Sequence, residues 1–450
     1  MKKVAFQTLG CKLNFAETST IGRQFIERGF DIVDADMAAD VFILNTCSVT
    51  ERADRECRQL IRRTLRRSPN AYIIVVGCYS QLQPDEIGSI DGVDLVLGSK
   101  EKFNIFQYTN GFAKKGIPQV FVSCVDEEMD FNPAFSAEVG GRTRAFLKVQ
   151  DGCDYNCAFC TIPLARGESR SSTISDVVRQ VNLIADQGYK EIVLTGVNVG
   201  DYGKKGGTSL LELMKTLEHA VNIERIRISS IEPNILTKEM VDLVLQSEKF
   251  CNHFHIPLQS GSDSILKNMR RRYLTHEYRD LIIYIRDIDP DAGIGADVIV
   301  GFPGETDKMF DETQQFLSDL SLSYLHIFTY SKRANTLAAG MPNEVEPRIR
   351  FMRSELLRHL GVLKRHAFNN SFLGETLSVL FEGKMNDGSI SGLTSNYIRV
   401  ETKSNTYIVN KIFDVKISSV KEEHCVGEII DFQPQNPNPT VRKFESSISI

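Results

Sequence analysis

A chain of 450 residues is too long for one ordinary hydrophobic core and calls for two or three domains. Its 42% hydrophobic and 25% charged content is that of a soluble globular protein; no apolar run is long enough to span a bilayer, and no signal peptide precedes the first strand-like segment, so no membrane association and a cytoplasmic location are expected. The formal charge of -5 does not advertise a nucleic-acid partner, and ten cysteines without a secretory signal favour metal binding over disulfides.

Lys3 to Leu9 alternates enough to form a short strand, with Gly10-Cys11 directly behind it. A helix is expected from about Asn14 to Arg28, ending at Gly29, where a left-handed C-cap is permitted. Val41 to Asn45 reads as a second buried strand, closely followed by Cys47, then a helix to about Arg67. Tyr72 to Val76 reads as a third strand, leading into Gly77-Cys78. Each of these strand-helix units delivers one cysteine just past a strand end, where open α/β sheets hold their ligands. The spacing alone allows two readings: a shared three-thiolate site, or three cysteines buried in a core. The helix after Cys47 carries a basic face, Arg52, Arg55, Arg58, Arg62, Arg63, Arg66 and Arg67, which is a solvated face or a phosphate contact. Cys57 lies within that helix, and Cys124, Cys251 and Cys425 have no ligand-like neighbours in sequence and are read as structural.

Between Glu127 and Thr143 the periodicity is lost, and a linker is expected over 129–141 between domains at 1–128 and 142–372. Ala145 to Val149 reads as a strand that delivers Cys153, Cys157 and Cys160 to its carboxyl end. Three thiolates within eight residues can converge on one small inorganic centre. Their spacing is neither that of most zinc fingers nor that of a bacterial ferredoxin, and three thiolates leave one iron of a four-iron cluster open. A zinc knuckle completed by a remote ligand is the bland alternative. Strands then alternate with helices: Glu191–Thr195, Arg225–Ser229, His253–Pro257, Gly293–Val300 and Tyr324–Phe328 complete a set of six. This pattern means parallel pairing in an open sheet or an incomplete barrel. A basic helix is expected from Pro347 to about Asn370. The period then switches to two over 373–432, where Thr376–Glu382, Ser395–Glu401, Thr406–Val409 and Lys416–Val420 read as strands of a small all-β module, followed by a tail at 433–450.

Taken together, these segments resemble the methylthiotransferase family of radical S-adenosylmethionine enzymes. The resemblance implies an N-terminal open α/β domain, a central partial (β/α)6 radical S-adenosylmethionine barrel and a C-terminal TRAM β-barrel. It further implies two [4Fe-4S] clusters, one on Cys153, Cys157 and Cys160 and an auxiliary one on Cys11, Cys47 and Cys78. Within the family, Thr8-Leu9-Gly10-Cys11-Lys12-Leu13-Asn14 is similar to the branch that methylthiolates N6-threonylcarbamoyladenosine at tRNA position 37. The related branches act on N6-isopentenyladenosine or on ribosomal protein S12, and these remain the alternative substrates. A non-catalytic iron-sulfur or zinc RNA-binding protein is the remote alternative.

The mechanism implied by the resemblance uses two molecules of S-adenosylmethionine. One methylates sulfur at the auxiliary cluster; the other is reductively cleaved to a radical that takes hydrogen from C2 of the adenine. An inert aromatic C–H calls for such cofactor chemistry. An electron donor such as flavodoxin or ferredoxin and a sulfur donor follow as partners. Tyr155 and Phe159 are expected beside the first cluster, and Thr195, Asn198, Ser230, Glu232, Gln259, Ser260 and Gly261 as contacts to S-adenosylmethionine. His253 and His255 are read as packing or substrate contacts. Because the threonylcarbamoyl group carries a carboxylate, a cation should read it, and Arg166, Lys332 and Arg333 are the residues expected to do so. One feature runs against bulk electrostatics: residues 373–432 hold six Lys/Arg and nine Asp/Glu, so RNA affinity has to come from elsewhere or from a local patch.

Overall fold

The computed structural model describes residues 2–48, 50–109, 111–125, 130–136, 143–384, 388–404 and 406–430. The expected linker therefore lies outside the described residues except at 130–136, as does the tail at 433–450.

The N-terminal sheet has six parallel strands: β1 (Lys3–Thr8), β2 (Asp31–Val33), β3 (Val41–Thr46), β4 (Tyr72–Gly77), β5 (Val93–Leu97) and β6 (Gln119–Phe121). Their order is β2-β1-β3-β4-β5-β6. In β3, β4 and β5 every residue is buried, which is why their sequences are nearly unbroken apolar runs. Helix α1 (Lys12–Glu27) covers one face through Ile21 and Phe25, and α2 (Glu51–Arg67) covers the other through Cys57 and Ile61. Thr50 starts α2 by accepting the Ala53 N–H at 3.2 Å. Strands β2, β5 and β6 were not foreseen, and two of them are three-residue edge strands too short to carry a pattern.

The second unit is an arc of six parallel strands. Arg144–Lys148, Glu191–Thr195 and Arg225–Ile228 form one ladder; His253–His255, Gly293–Val300 and Tyr324–Thr329 form another. Parallel bridges Ile226↔Phe250 and Ser230↔His255 join the two. Helices Ile174–Asp186, Leu210–Ala220, Lys238–Gln246 and Asp307–Asp319 begin at Thr173, Ser209, Thr237 and Thr306, whose hydroxyls accept backbone N–H groups. These helices bury Val, Leu and Ile against the outer strand face. The inner face is different: Phe146 and Val193 pack on Phe15 and Ala16, so α1 of the N-terminal unit lies in the concavity of the arc.

A 24-residue helix, Pro347–Asn370, leads to a closed barrel of Thr376–Lys384, Ile390–Thr394, Arg399–Thr402, Cys425–Ile429 and Ile412–Val420. This barrel seals the amino ends of the central strands. Arg225 donates to the Leu393 and Ser378 carbonyls, Arg227 to those of Thr394 and Ser395, and Arg144 to Glu382. Tyr397 stacks on His253 with centroids 4.4 Å apart. The expected strand Ser395–Glu401 is instead a turn followed by Arg399–Thr402: Asn396 bonds the Thr394 hydroxyl at 2.6 Å and Tyr397 has φ +72°, so the chain reverses there. Thr406–Val409 is likewise not a strand.

Candidate active site

The 153–160 loop is pinned from several sides. The Cys153 N–H bonds the Gly167 carbonyl at 3.0 Å, the Ala158 N–H that of Met269 at 3.0 Å, and the Ala158 carbonyl accepts from Ala338 at 2.8 Å. Gly152 makes the approach possible, since its φ is +70° and a Cβ would stand 1.9 Å from the Glu168 carbonyl oxygen. Backbone N–H groups of Tyr155 and Ile162 point at the Cys153 and Cys160 sulfurs, and Arg271 Nη1 lies 3.1 Å from Cys157 Sγ while pairing with Glu232. Burial pushes the Cys153 and Cys160 thiols up to about 12. They stay protonated at neutral pH unless a metal displaces the proton.

Cys11, Cys47 and Cys78 follow the carboxyl ends of β1, β3 and β4, three adjacent strands. Gly10 has φ +99°, and a Cβ there would lie 2.9 Å from Cys47 Sγ, so glycine is required for the first two loops to meet. Arg166 lies within electrostatic reach of Cys11 and Cys78. Burial raises the Cys11 thiol, and Arg166 opposes it. No disulfide joins any of the ten cysteines. In neither three-cysteine set do the sulfurs all lie within 4.8 Å of one another, among the described residues. Each set offers three soft thiolate donors, as many as a four-iron cluster with one open iron takes.

A cavity of about 230 Å³ opens beside the 153–160 loop, lined among others by Phe159, Cys160, Gln259, Asp297, Phe328 and, from the N-terminal unit, Thr50. Thr50 stands three residues past Cys47. Ser331, also in the lining, accepts from the Glu51 N–H at 3.1 Å. A larger hollow of about 630 Å³ sits in the C-terminal barrel and has no cysteine in its lining.

The polar residues expected around S-adenosylmethionine divide. Gln259 lines the cavity, Glu232 is tied to Cys157 through Arg271, and Asn198 is buried with its Oδ1 lacking a hydrogen-bond partner among the described residues. Tyr155 is buried under Arg272, its hydroxyl accepting from Asn234 at 2.8 Å. Phe159 meets Phe302 edge-on. The others serve the frame: the Thr195 hydroxyl donates to the Leu147 carbonyl, Ser230 makes the bridge to His255, Ser260 bonds Thr313, and Gly261 packs on Thr313 and Phe316.

Sequence comparison agrees with this geometry. Residues 147–317 match the Radical SAM superfamily, and residues 3–98 match Uncharacterized protein family UPF0004. The threonylcarbamoyladenosine tRNA methylthiotransferase MtaB of Bacillus subtilis is 38% identical over 96% of this chain and 97% of its own length. The chain belongs to the methylthiotransferase family of radical S-adenosylmethionine enzymes. MtaB of Aquifex aeolicus is also 38% identical, over 89% of this chain and 96% of its own. A tRNA-2-methylthio-N(6)-dimethylallyladenosine synthase of Akkermansia muciniphila is 31% identical, over 93% and 96%. Among solved structures, the radical S-adenosylmethionine methyltransferase TsrM of Kitasatospora setae has a TM-score of 0.53 at 14% identity, covering 73% of each chain, a likeness of fold alone.

In this methylthiotransferase the expected carboxylate readers stand differently from the sequence reading. Arg166 is 1% exposed, and its terminal nitrogens are committed to Glu17, Asp151 and Asn14 at 2.8–3.2 Å. It sits in the short helix Ile162–Arg166, tucked under α1, and has no donor at Nη1 or Nη2 left for a substrate. Arg333 is paired with Asp54 and Ser48, which fastens its loop to the Cys47 loop. Lys332 is exposed, faces Glu344 at 3.3 Å and does not line the cavity. Two residues not singled out beforehand are Arg271 and Asp297. Asp297 was detectable, as an acid in the middle of the otherwise apolar strand Gly293–Val300. It accepts from His255 at 2.9 Å and His326 at 3.2 Å, and Tyr324 links His255 to His253. Both histidines lower the Asp297 carboxyl well below its ordinary value although burial opposes them.

Proposed function

We propose that this chain places a methylthio group on C2 of N6-threonylcarbamoyladenosine at tRNA position 37. The observation that carries this reading is the shared cavity: Cys160 forms part of one wall, and Thr50, just beyond Cys47, forms part of another. A base held there lies against Cys160 and against Thr50, three residues past Cys47. The names of the 38% identical relatives favour threonylcarbamoyladenosine over the isopentenyl base as the substrate. Two [4Fe-4S] clusters and S-adenosylmethionine supply the one-electron cleavage and the methylthio group, neither of which a side chain can furnish.

The protein's share is placement. Phe159, Ile299 and Phe328 offer apolar faces to an adenine, Gln259 offers an amide, and Arg271 sets a positive charge beside Cys157. Asn198 and Glu232 are the groups positioned to take the amino-acid end of S-adenosylmethionine. Reducing equivalents come from a flavodoxin or ferredoxin, and sulfur from a separate donor. Nucleotide 37 has to leave the anticodon stack to enter, at a cost of a few kcal/mol that contacts in the loop return.

Backbone contact falls to α2, where Arg55, Arg62, Arg63 and Arg66 are exposed. Changing Arg62, Arg63 and Arg66 together to Ala weakens all tRNAs about equally and lowers the slope of log affinity against log salt by about 2 to 3, as measured by filter binding across salt concentrations. An unchanged slope would place the tRNA on another face. The function itself is tested with anaerobically reconstituted enzyme, S-adenosylmethionine, a reductant and anticodon stem-loops. The threonylcarbamoylated stem-loop gains a methylthio group and the isopentenylated one does not; the reverse preference would replace this substrate.

A further inference from the structure

The carboxylate that distinguishes the proposed substrate needs a donor within reach of the cavity, and the three cations expected from the sequence are paired with acids. The inner face of the central arc offers another group. Strands Gly293–Val300 and Tyr324–Thr329 run parallel, with Ile299 opposite Phe328 and Asp297 opposite His326. Ile299, Phe328 and Asp297 line the cavity, so the Asp297–His326 rung is the next one inward from its apolar floor. Rungs two residues apart on a strand are separated by about 7 Å.

A hydrogen-bonded chain of side chains ends at this rung. Tyr324 Oη stands 2.7 Å from His253 Nε2 and 3.1 Å from His255 Nδ1, and His255 Nε2 stands 2.9 Å from Asp297 Oδ1. Gly295 admits the Tyr324 ring, since a Cβ there would lie 2.1 Å from its Cζ. The same Asp297 oxygen holds His326 Nδ1 at 3.2 Å, and the His326 ring leans on those of His255 and Tyr324 with centroids 5.2 Å away in each case. His255 thus has both ring nitrogens committed. His326 has one committed; its side chain is 46% exposed, and Nε2 has no hydrogen-bond partner among the described residues. Asp297 fixes Nδ1 as a donor and so leaves Nε2 for an incoming group.

We propose that His326, held by Asp297, reads the carboxylate of the threonylcarbamoyl group through Nε2. This rests on the substrate reading above and adds a specificity-determining residue to it. With the adenine on Ile299 and Phe328 and C2 toward Cys160, the N6 substituent extends over the Asp297–His326 rung. A ureido group and one carbon separate the ring from the carboxylate, enough to reach that rung. The half-exposed imidazole takes a proton from water as the anion arrives. The imidazolium then lies between two carboxylates, Asp297 at Nδ1 and the substrate at Nε2. An isopentenyl group brings no anion and gains nothing from this arrangement.

The test compares a stem-loop bearing threonylcarbamoyladenosine with one whose carboxylate is converted to the neutral amide. The wild-type enzyme uses the acid about 10- to 100-fold better in kcat/KM, the range for a hydrogen bond to a charged group. His326→Phe lowers use of the acid to that of the amide, a ratio of about 1. His326→Gln keeps an N–H near the Nε2 position without the charge and retains a ratio of about 2 to 10. Iron content and uncoupled cleavage of S-adenosylmethionine, measured on each variant, separate loss of recognition from loss of the clusters. Equal use of acid and amide by the wild type would overturn the proposal without any variant. Full discrimination by His326→Phe would overturn it as well. Failure of the wild type on both stem-loops, with activity on an isopentenylated one, would instead remove the substrate reading itself.

Discussion

Changing Cys11, Cys47 and Cys78 together to Ala lowers iron in the reconstituted enzyme from about eight to about four per chain, because one of two four-iron centres loses its thiolates. Methylthiolated product falls to background, while cleavage of S-adenosylmethionine to 5'-deoxyadenosine persists, since the 153–160 loop is held by Gly167, Met269 and Ala338 and not by the N-terminal cysteines. The complementary variant, Cys153, Cys157 and Cys160 to Ala, also keeps about four irons but stops the cleavage. Iron assay and chromatography of the nucleoside products measure both. Eight irons in the first variant, or methylthiolated product from it, would show that Cys11, Cys47 and Cys78 do not hold a second cluster.

Glu17→Ala destabilises the protein by about 3 to 5 kcal/mol, the range for removing one partner of a buried charge network. Glu17 is fully buried and receives Arg166, Lys148 and Lys102 at 2.6–3.2 Å, and Asp151 shares Arg166 and Lys148. These contacts run between α1 and the central strands, so the loss falls on the seam between the two units that carry the three-cysteine sets. Burial alone would raise the Glu17 carboxyl; Arg166, Lys102 and Lys148 outweigh it and hold it far below its ordinary value of 4.5. The sign follows from that depression. The contribution of Glu17 is complete above about pH 4.5 and is lost as the pH falls below it. Denaturant titrations at neutral and acid pH measure this: wild type and variant differ most at neutral pH and converge in acid. A difference below 1 kcal/mol at neutral pH would mean that the network is dispensable.

The central strands could be read from the sequence because parallel strands buried on both sides leave long apolar runs, and because hydroxyl caps such as Thr173 and Thr306 mark the helix starts. That the cysteines of each set stand just past strand ends was equally legible, and they do stand there. What escaped the sequence was pairing at a distance. Nothing near Arg166 announces that Glu17, 149 residues earlier, will occupy its guanidinium, so a loop cation was taken for a substrate contact. Thr195, Ser260 and Gly261 stand near strand ends as expected, but their side chains or backbone serve the frame behind the cavity. The turn at Asn396 was hidden for a local reason, since a polar residue with φ near +70° beside it breaks a strand that period-two alternation would continue.

Mass spectrometry of tRNA nucleosides from a strain lacking this gene tests the proposed substrate most directly. The account predicts that the 2-methylthio derivative of N6-threonylcarbamoyladenosine disappears, that its unthiolated precursor accumulates, and that restoring the gene reverses both changes. Retention of that derivative, with loss of the methylthio group from isopentenyladenosine or from ribosomal protein S12, would contradict it.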